Sequence, residues 1–409
     1  MSIYGRGGKR VSECFRAEED IHPSQVWKFS LLDRACLSMV IRGVWIFDGE
    51  LDVGAMKAGF RKLLGYYPHL SGRMKDPTGI ALTNEGVPLT VVDRSDLSVR
   101  DVYRMENLTK HFSDAIKINR VKRGIDAPLS VRITRLRDGF ALGIQCAHGC
   151  MDGHGFYAMV DNWGRIYRGE EFEKPVLDRS LLPSPGSFSK KEMMQLAMDS
   201  GWKKVSLFSL ATRVLPKFIL SVASKRSGPF HISDDLLNKL KEGISSRTGC
   251  YCSANVAISA FLSGMFMRLC GHTQKTWCTQ VTMVDCRSRL AQLPTAFVGN
   301  ASVVVSTPPF PGDASVENVA GIISRTLSPV LKTPSRELEK AVVLTLNALW
   351  YRLPVVPFDI AGMYSRKPTV FQVNNLSRFP IYEVDFGSGK PVLAIPPDLP
   401  NPILIWPAP

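Results

Sequence analysis

Residues 147–155 read AHGCMDGHG, which places His148, His154, Asp152 and Cys150 within nine positions. Three chemistries could use such a set: metal binding by imidazole and thiolate, proton transfer by a histidine that titrates near neutrality, or a glycine turn with polar side chains that merely need partners. Spacing makes metal the weakest of the three. Cys146, His148, Cys150, Asp152 and His154 share a parity, but one extended strand would spread them over about 26 Å at roughly 3.3 Å per residue, and no second cluster with zinc spacing occurs elsewhere. A buried, satisfied histidine and a general base both remain open on these residues alone. For the base, an apolar wall would favour the neutral, proton-accepting imidazole. Asp152 would lie about 13 Å from His148 in extended chain, too far to orient its ring. It is expected to hold the turn and to pair with a cation from elsewhere.

These side chains need elements to position them. LSVRITRL, RDGF and ALGIQCAH form a hairpin pattern about Asp138-Gly139, where glycine would tolerate the positive φ of a tight turn. On its second strand Phe140, Leu142, Ile144, Cys146 and His148 share a parity, so His148 should point inward at the strand end. Phe156, Met159, Val160, Trp163, Ile166 and Tyr167 then follow helical spacing, which makes the motif a strand-turn-helix corner. Upstream, LDVGAMKAGFRKLLGYYP predicts an amphipathic helix that stops near Pro68. Ser189 and Glu192 make a capping box after a Pro/Ser/Gly-rich stretch, so a domain boundary is expected near 185–228. PFHISDDLLNKLKEGI reads as a short strand, then a helix capped by Ser233. Ser253 should cap ANVAISAFLSGMFMRL, apolar nearly all round and so buried, and TWCTQVTMVDCRSRL should be a core strand ending in charges.

The chain has 409 residues, more than one core usually supports, and its 45% hydrophobic content can fill two domains. Nine cysteines without a C-x-x-C pair suit reduced thiols in the cytoplasm, and no stretch reads as a signal peptide or membrane span. A net charge of +14 raises nucleic acid as a partner, but no three Lys or Arg are consecutive and no nucleic-acid motif is present. A polyphosphate-bearing co-substrate would use the same charge.

The H-x-x-x-D-G arrangement from His148 to Gly153 resembles the signature of the BAHD acyltransferases, within the superfamily that includes chloramphenicol acetyltransferase. In order along the chain, LLGYYPHLSGRM (63–74), VDCRSRL (284–290), VGNAS (298–302) and NNLSRFPIYEV followed by DFGSGKP (385–391) resemble further blocks of that family. The resemblance implies an α/β fold of two similar domains, each a mixed sheet flanked by helices, with a channel at their interface. The domains would run 1–185, carrying HxxxDG, and 229–409, carrying DFGxG, joined by a 186–228 crossover. It implies that His148 is the general base at the channel centre, that Asp152 pairs with Arg287, and that Asn300 and Gly387 support the site. Asp385 carries the second motif, sometimes treated as catalytic and otherwise structural. Ser253 is the candidate contact for CoA at a helix N-terminus.

Three departures stand out. Ser388 and Leu376 occupy positions where the family carries tryptophan, and the chain ends at WPAP, where one more strand and helix are expected. The implied activity is transfer of an acyl group from acyl-CoA, as co-substrate, to a hydroxyl or amine of a small specialised metabolite. It would need no metal or resident cofactor and would act as a monomer. A carrier-protein-dependent condensation domain is the first alternative; its signature carries a second histidine where this chain has Ala147. A non-catalytic acyl-CoA-binding homologue is the other.

Overall fold

The computed structural model describes residues 9–18, 25–186, 188–206, 208, 210–216, 228, 230–249, 251–397 and 402–408. Ten strands lie on the main paths of its two large sheets: β1 (Arg10–Phe15), β2 (Val40–Asp48), β3 (Val87–Asp93), β4 (Leu129–Arg135), β5 (Gly139–Ala147), β6 (Trp277–Asp285), β7 (Ser302–Ser306), β8 (Val370–Asn375), β9 (Leu393–Ile395) and β10 (Pro402–Ile405), and a short eleventh, Phe310–Pro311, pairs with the start of β6. The helices that matter for the site are α1 (Leu31–Ala35), α2 (Val53–Tyr66), α3 (Ile118–Lys122), α4 (Gly153–Arg168), α5 (Asp234–Thr248), α6 (Ala254–Leu269) and α7 (Val316–Val330).

The first sheet has the order β1-β3-β4-β5-β2-β9 and is mixed, with β3 and β4 parallel and its other neighbours antiparallel. In the second, β7-β6-β8-β10, the β6–β8 and β8–β10 pairs are parallel. Each sheet has its own core. Met56, Phe60, Leu63 and Leu64 of α2 recur at helical spacing and are all fully buried in the first. Helix α2 runs into a second short helix whose first residue is Pro68, a position where proline loses no hydrogen bond.

Several local expectations meet a different structure. Gly139 does not have positive φ. A Cβ there would sit 2.1 Å from the carbonyl oxygen of Phe47, so close approach of β2 excludes a side chain. Strand β5 is buried on both faces, so its parity assigns no inward side, and His148 lies beyond the strand end, half-buried. No strand forms among residues 230–232, although Ser233 does cap α5. Helix α6 is buried on one side only: Val256, Ala257, Ala260 and Met267 face the core while Leu269 is exposed. Eight cysteines are free thiols, and Cys250 falls outside the described residues.

The largest difference concerns residues 376–395. The sequence reading places DFGSGKP in the second domain, but Leu376, Ile381, Tyr382, Val384, Phe386 and Ala394 belong to the first core. Phe386 packs edge-on against Phe47, Trp163 and Tyr167, at 5.8, 5.3 and 5.8 Å, and β9 then pairs with β2. Burial of these apolar side chains supplies the reason for the return. Most of the 186–228 crossover beyond residue 216 lies outside the described residues, and the last described segment forms β10, the edge strand of the second sheet.

Candidate active site

The corner after β5 is held by backbone bonds from both sheets' surroundings. The His148 amide donates to the Met39 carbonyl at 2.9 Å, just before β2. Its carbonyl accepts from the side chain of Asn300 at 2.8 Å, just before β7. The Asn300 amide and side chain both donate to Asp33 Oδ1, at 2.8 and 2.9 Å. Asp33 is fully buried in α1, where it completes a capping box with Ser30. Its other oxygen lies 3.0 Å from Arg179 Nε, an ion-pair contact at hydrogen-bond distance but without hydrogen-bond alignment. The Arg179 guanidinium in turn lies 3.7 Å over the Trp27 ring, against which His69 is stacked. Thus the backbone of His148 is fixed on both sides, while its Nδ1 is buried with no hydrogen-bond partner among the described residues.

Asp152 does not touch the His148 ring through any described bond; it is the N-cap of α4. Its Oδ1 accepts from the Gly155 amide and from Arg287 Nη2, and its Oδ2 accepts from Arg287 Nη1 and the Ala301 amide, all at 2.9–3.1 Å. Arg287 is 2% exposed and uses all five of its N–H groups: two on Asp152, one on Asp285, one each on the carbonyls of Phe297 and Gly299. Such a forked, fully satisfied guanidinium is the arrangement in which a buried charge is tolerated. Burial disfavours its charge, but Asp152 and then Asp285 outweigh it and raise the Arg287 pKa. Asp285 follows the same logic. Burial would raise its pKa, yet its hydrogen bond from His154 and the charge of Arg287 hold it down at about 2. His154 Nδ1 sits 3.2 Å from Asp285 Oδ2, so the second histidine of the motif is an outer partner of the arginine network.

The cysteines of this region are poor nucleophiles. Burial first, then Asp33 and Asp152, push the Cys36 thiol up to about 12. Cys150 is raised by its hydrogen bond with Cys146 and by burial. Among the described residues no group of three or more His, Cys, Asp and Glu is arranged to hold a metal ion. Of the two imidazoles at the corner, that of His154 is engaged with Asp285, while that of His148 has its Nδ1 without a hydrogen-bond partner among the described residues.

Asp385 is elsewhere. Its Oδ1 accepts from the amides of Gly387 and Gly389, at 2.7 and 3.0 Å, closing its own loop. Gly387 has φ +86 and Gly389 φ +96, a conformation that favours glycine. The Asp385 carbonyl takes a hydrogen bond from Arg168 and packs on Gly164, near the C-terminus of α4. From Asp152 to Gly164 the helix rises about 18 Å at 1.5 Å per residue, so the structure does not bring Asp385 and His148 together. Ser253 caps α6, its Oγ accepting from the Val256 amide at 3.3 Å.

Sequence reasoning missed Asp33, Arg179 and Asp285. The Ser30-x-x-Asp33 capping box was a visible local signal for the first. Asp285 lies two residues before Arg287 in the VDCRSRL block, a local signal for that pair, whereas its contact with His154 and the pairing of Arg179 with Asp33 join residues distant in the chain.

Comparison with known proteins identifies the family and the fold. The profile of the Transferase family matches residues 15–400. An omega-hydroxypalmitate O-feruloyl transferase of Arabidopsis thaliana is 24% identical over 392 residues, covering 89% of this chain and 79% of its own. BAHD acyltransferase DCR of the same plant is 24% identical over 382 residues, covering 84% and 71%. The crystal structure of F. graminearum TRI101 with coenzyme A and T-2 mycotoxin shares the fold with a TM-score of 0.69 at 14% identity, covering 93% of this chain and 91% of its own. The chain belongs to the Transferase family of BAHD acyltransferases, and is an acyl-CoA-dependent O- or N-acyltransferase.

Proposed function

We propose that His148 is the general base of this transfer, acting in a channel between the two sheets' domains. The observation that carries the reading is the two-sided clamp on the His148 backbone, by Met39 and Asn300, at the turn where β5 meets α4. A base must be held within a fraction of an ångström of its working position, and a clamp on both peptide groups does this without occupying the ring. The imidazole takes a proton from the acceptor O–H or N–H as that atom attacks the thioester carbonyl. The tetrahedral adduct collapses with cleavage of the C–S bond, and the imidazolium protonates the departing CoA thiolate, leaving the histidine neutral again. Asp152, Arg287 and Asn300 act through position, not contact with substrate. Asp385 and Gly387 shape their own loop. Ser253, at the N-terminus of α6, is the proposed contact for a CoA phosphate, which the helix end would attract.

The acceptor is a small specialised metabolite and the enzyme works as a monomer in the cytoplasm. No helix among the described residues is long and apolar enough to cross a membrane, and acyl-CoA is the only co-substrate the reading requires. Thermal stabilisation by a panel of acyl-CoAs, with free CoA and ATP as controls, tests donor binding, since a ligand of the folded state raises its stability by mass action. His148→Ala should keep that stabilisation and lose turnover, read as release of the CoA thiol, by about 10²-fold or more. Turnover undiminished in His148→Ala would reject the assignment.

A further inference from the structure

Capping boxes close three helix starts among the described residues: Ser30 with Asp33 at α1, Ser98 with Asp101 at Val99–Val102, and Ser189 with Glu192 at Lys190–Asp199. Asp101 and Glu192 bond only their own serine. Asp33 does far more. Its Oδ2 accepts from the Ser30 amide and hydroxyl at 2.9 and 2.8 Å and lies 3.0 Å from Arg179 Nε. Its Oδ1 accepts from the Asn300 amide and side chain, and the carboxylate is 0% exposed. A cap stabilises a helix slightly, whereas burying a charge is costly. Capping a five-residue helix therefore does not account for Asp33.

The Asn300 side chain supplies the missing account. Its Nδ2 faces Asp33 Oδ1 at 2.9 Å and the His148 carbonyl at 2.8 Å. Both neighbours can only accept, so the amide nitrogen must face them and both of its N–H groups are taken. Because the two bonds meet at one nitrogen, the carboxylate oxygen lies within about 6 Å of the His148 carbonyl oxygen. Arg179 holds the same segment from its other side. Its guanidinium lies between the Trp27 ring, at 3.7 Å, and Gly299, where a Cβ would come within 2.7 Å of it, and its Nη1 donates to the Val298 carbonyl.

We infer that Asp33, charge-balanced by Arg179, is a positioning residue of the acyl transfer, acting through Asn300 to set the peptide group of His148. This rests on His148 being the base. The link joins a residue ahead of β2 to one ahead of β7, so it carries the second sheet's position to the histidine. Every group around the Asp33 carboxylate donates to it: the Ser30 amide and hydroxyl, the two Asn300 N–H groups and Arg179. Asp33→Asn must therefore turn an NH2 group toward a donor. Facing Asn300 it breaks the link directly. Facing Arg179 it leaves the guanidinium without its counter-charge beside Gly299. Either way the Asn300 amide is released to turn, and the His148 carbonyl loses its partner.

Two readouts on the whole chain test this. One is the ring Cε1–H resonance of His148 in histidine-labelled protein, assigned by its absence from His148→Ala, which needs no substrate. The other is release of the CoA thiol from an acyl-CoA, with free-CoA affinity measured by calorimetry. Asp33→Asn and Asn300→Ala should each displace or split the His148 resonance while leaving that of His154 in place. Each should lower turnover about tenfold or more, the scale of a misplaced catalytic group, with CoA affinity within about twofold. The double variant should lose little beyond either single one, because both substitutions cut one link. Asp101→Asn, a capping box without such a link, should lower the urea midpoint and leave the His148 resonance and turnover per folded molecule unchanged. Should Asp33→Asn not fold, Asn300→Ala decides, since it leaves the cap and the ion pair standing. An unmoved His148 resonance in a folded variant, additive losses in the double variant, or CoA affinity falling in step with turnover would overturn the inference. His148→Ala with full turnover would instead remove the reading beneath it, whatever the resonances show.

Discussion

Arg287→Lys is a substitution that keeps the charge and breaks the geometry. In the native site five N–H groups reach five acceptors spread around a plane, from the Phe297 carbonyl on the Nε side to the Gly299 carbonyl on the Nη2 side. A lysine ammonium offers three donors at one point. Placed near Asp152 it can keep the two carboxylates, but at least two acceptors lose their partner in a region where Arg287 was 2% exposed. Each buried group left unsatisfied costs about 1–3 kcal/mol, so the substitution should destabilise the fold by about 2–6 kcal/mol. Urea unfolding followed by intrinsic fluorescence gives the change in midpoint. Asp152→Asn retains an N-cap oxygen for the Gly155 amide but removes the charge, and the two substitutions share one network. Their double mutant should therefore cost less than the sum, with a coupling energy on the order of 1–3 kcal/mol. Turnover in Arg287→Lys should fall by more than the loss of folded protein explains, because Gly299 and Asn300 set the carbonyl of His148. A wild-type urea midpoint for Arg287→Lys, or strict additivity with Asp152→Asn, would refute the view that one guanidinium fork holds this corner.

Asp385→Asn should leave turnover within a few-fold of wild type, since the amide oxygen still accepts from Gly387 and Gly389; a hundredfold loss in stable protein would place Asp385 in the chemistry. Burial, and after it the charge of Arg179, holds the His69 pKa well below its ordinary value. The folded state then binds fewer protons than the unfolded chain once pH drops below about 6.5, so this contribution to stability is present above that pH and lost as pH falls, at up to about 1.4 kcal/mol per unit. His69→Phe should flatten the acid limb of the stability profile between pH 6.5 and 5, measured by urea midpoints, and an unchanged slope would show that His69 is not its source. Ser253→Ala should lower stability by about 1 kcal/mol through the lost N-cap; a tenfold weaker CoA affinity in the same variant would support the phosphate contact.

What could be read from the sequence was local. Capping serines at 189, 233 and 253 announce their helices because the cap and the amide it receives lie three residues apart. The Phe140–Ala147 run and the helix after it are visible for the same reason. Periodicity was less informative where both faces of a strand are covered, as in β5, so the side to which His148 belongs was not written in its parity. The Arg179–Asp33 and Asp285–His154 contacts were illegible because charge placement across 146 or 131 residues of chain leaves no mark in the spacing of either neighbour, although Asp285 stands beside Arg287 in the VDCRSRL block. The return of Phe386 to the first core was hidden likewise: its apolar character shows that it is buried, not against which sheet.

That return also has a kinetic meaning. Strand β2 lies between β5 and β9, and β9 is the segment Leu393–Ile395. During synthesis β1 to β5 are complete about 250 residues before β9 emerges, a delay of roughly 12–50 s at ordinary elongation rates of 5–20 residues per second. Throughout that interval the long strand at Val40–Asp48 presents an unpaired edge, the kind of surface that templates aggregation, and the hydrophobic shelf that awaits Phe386 stays wet. The edge of β2 and the shelf that receives Phe386 are therefore closed by a segment made some 250 residues after the strands they belong to.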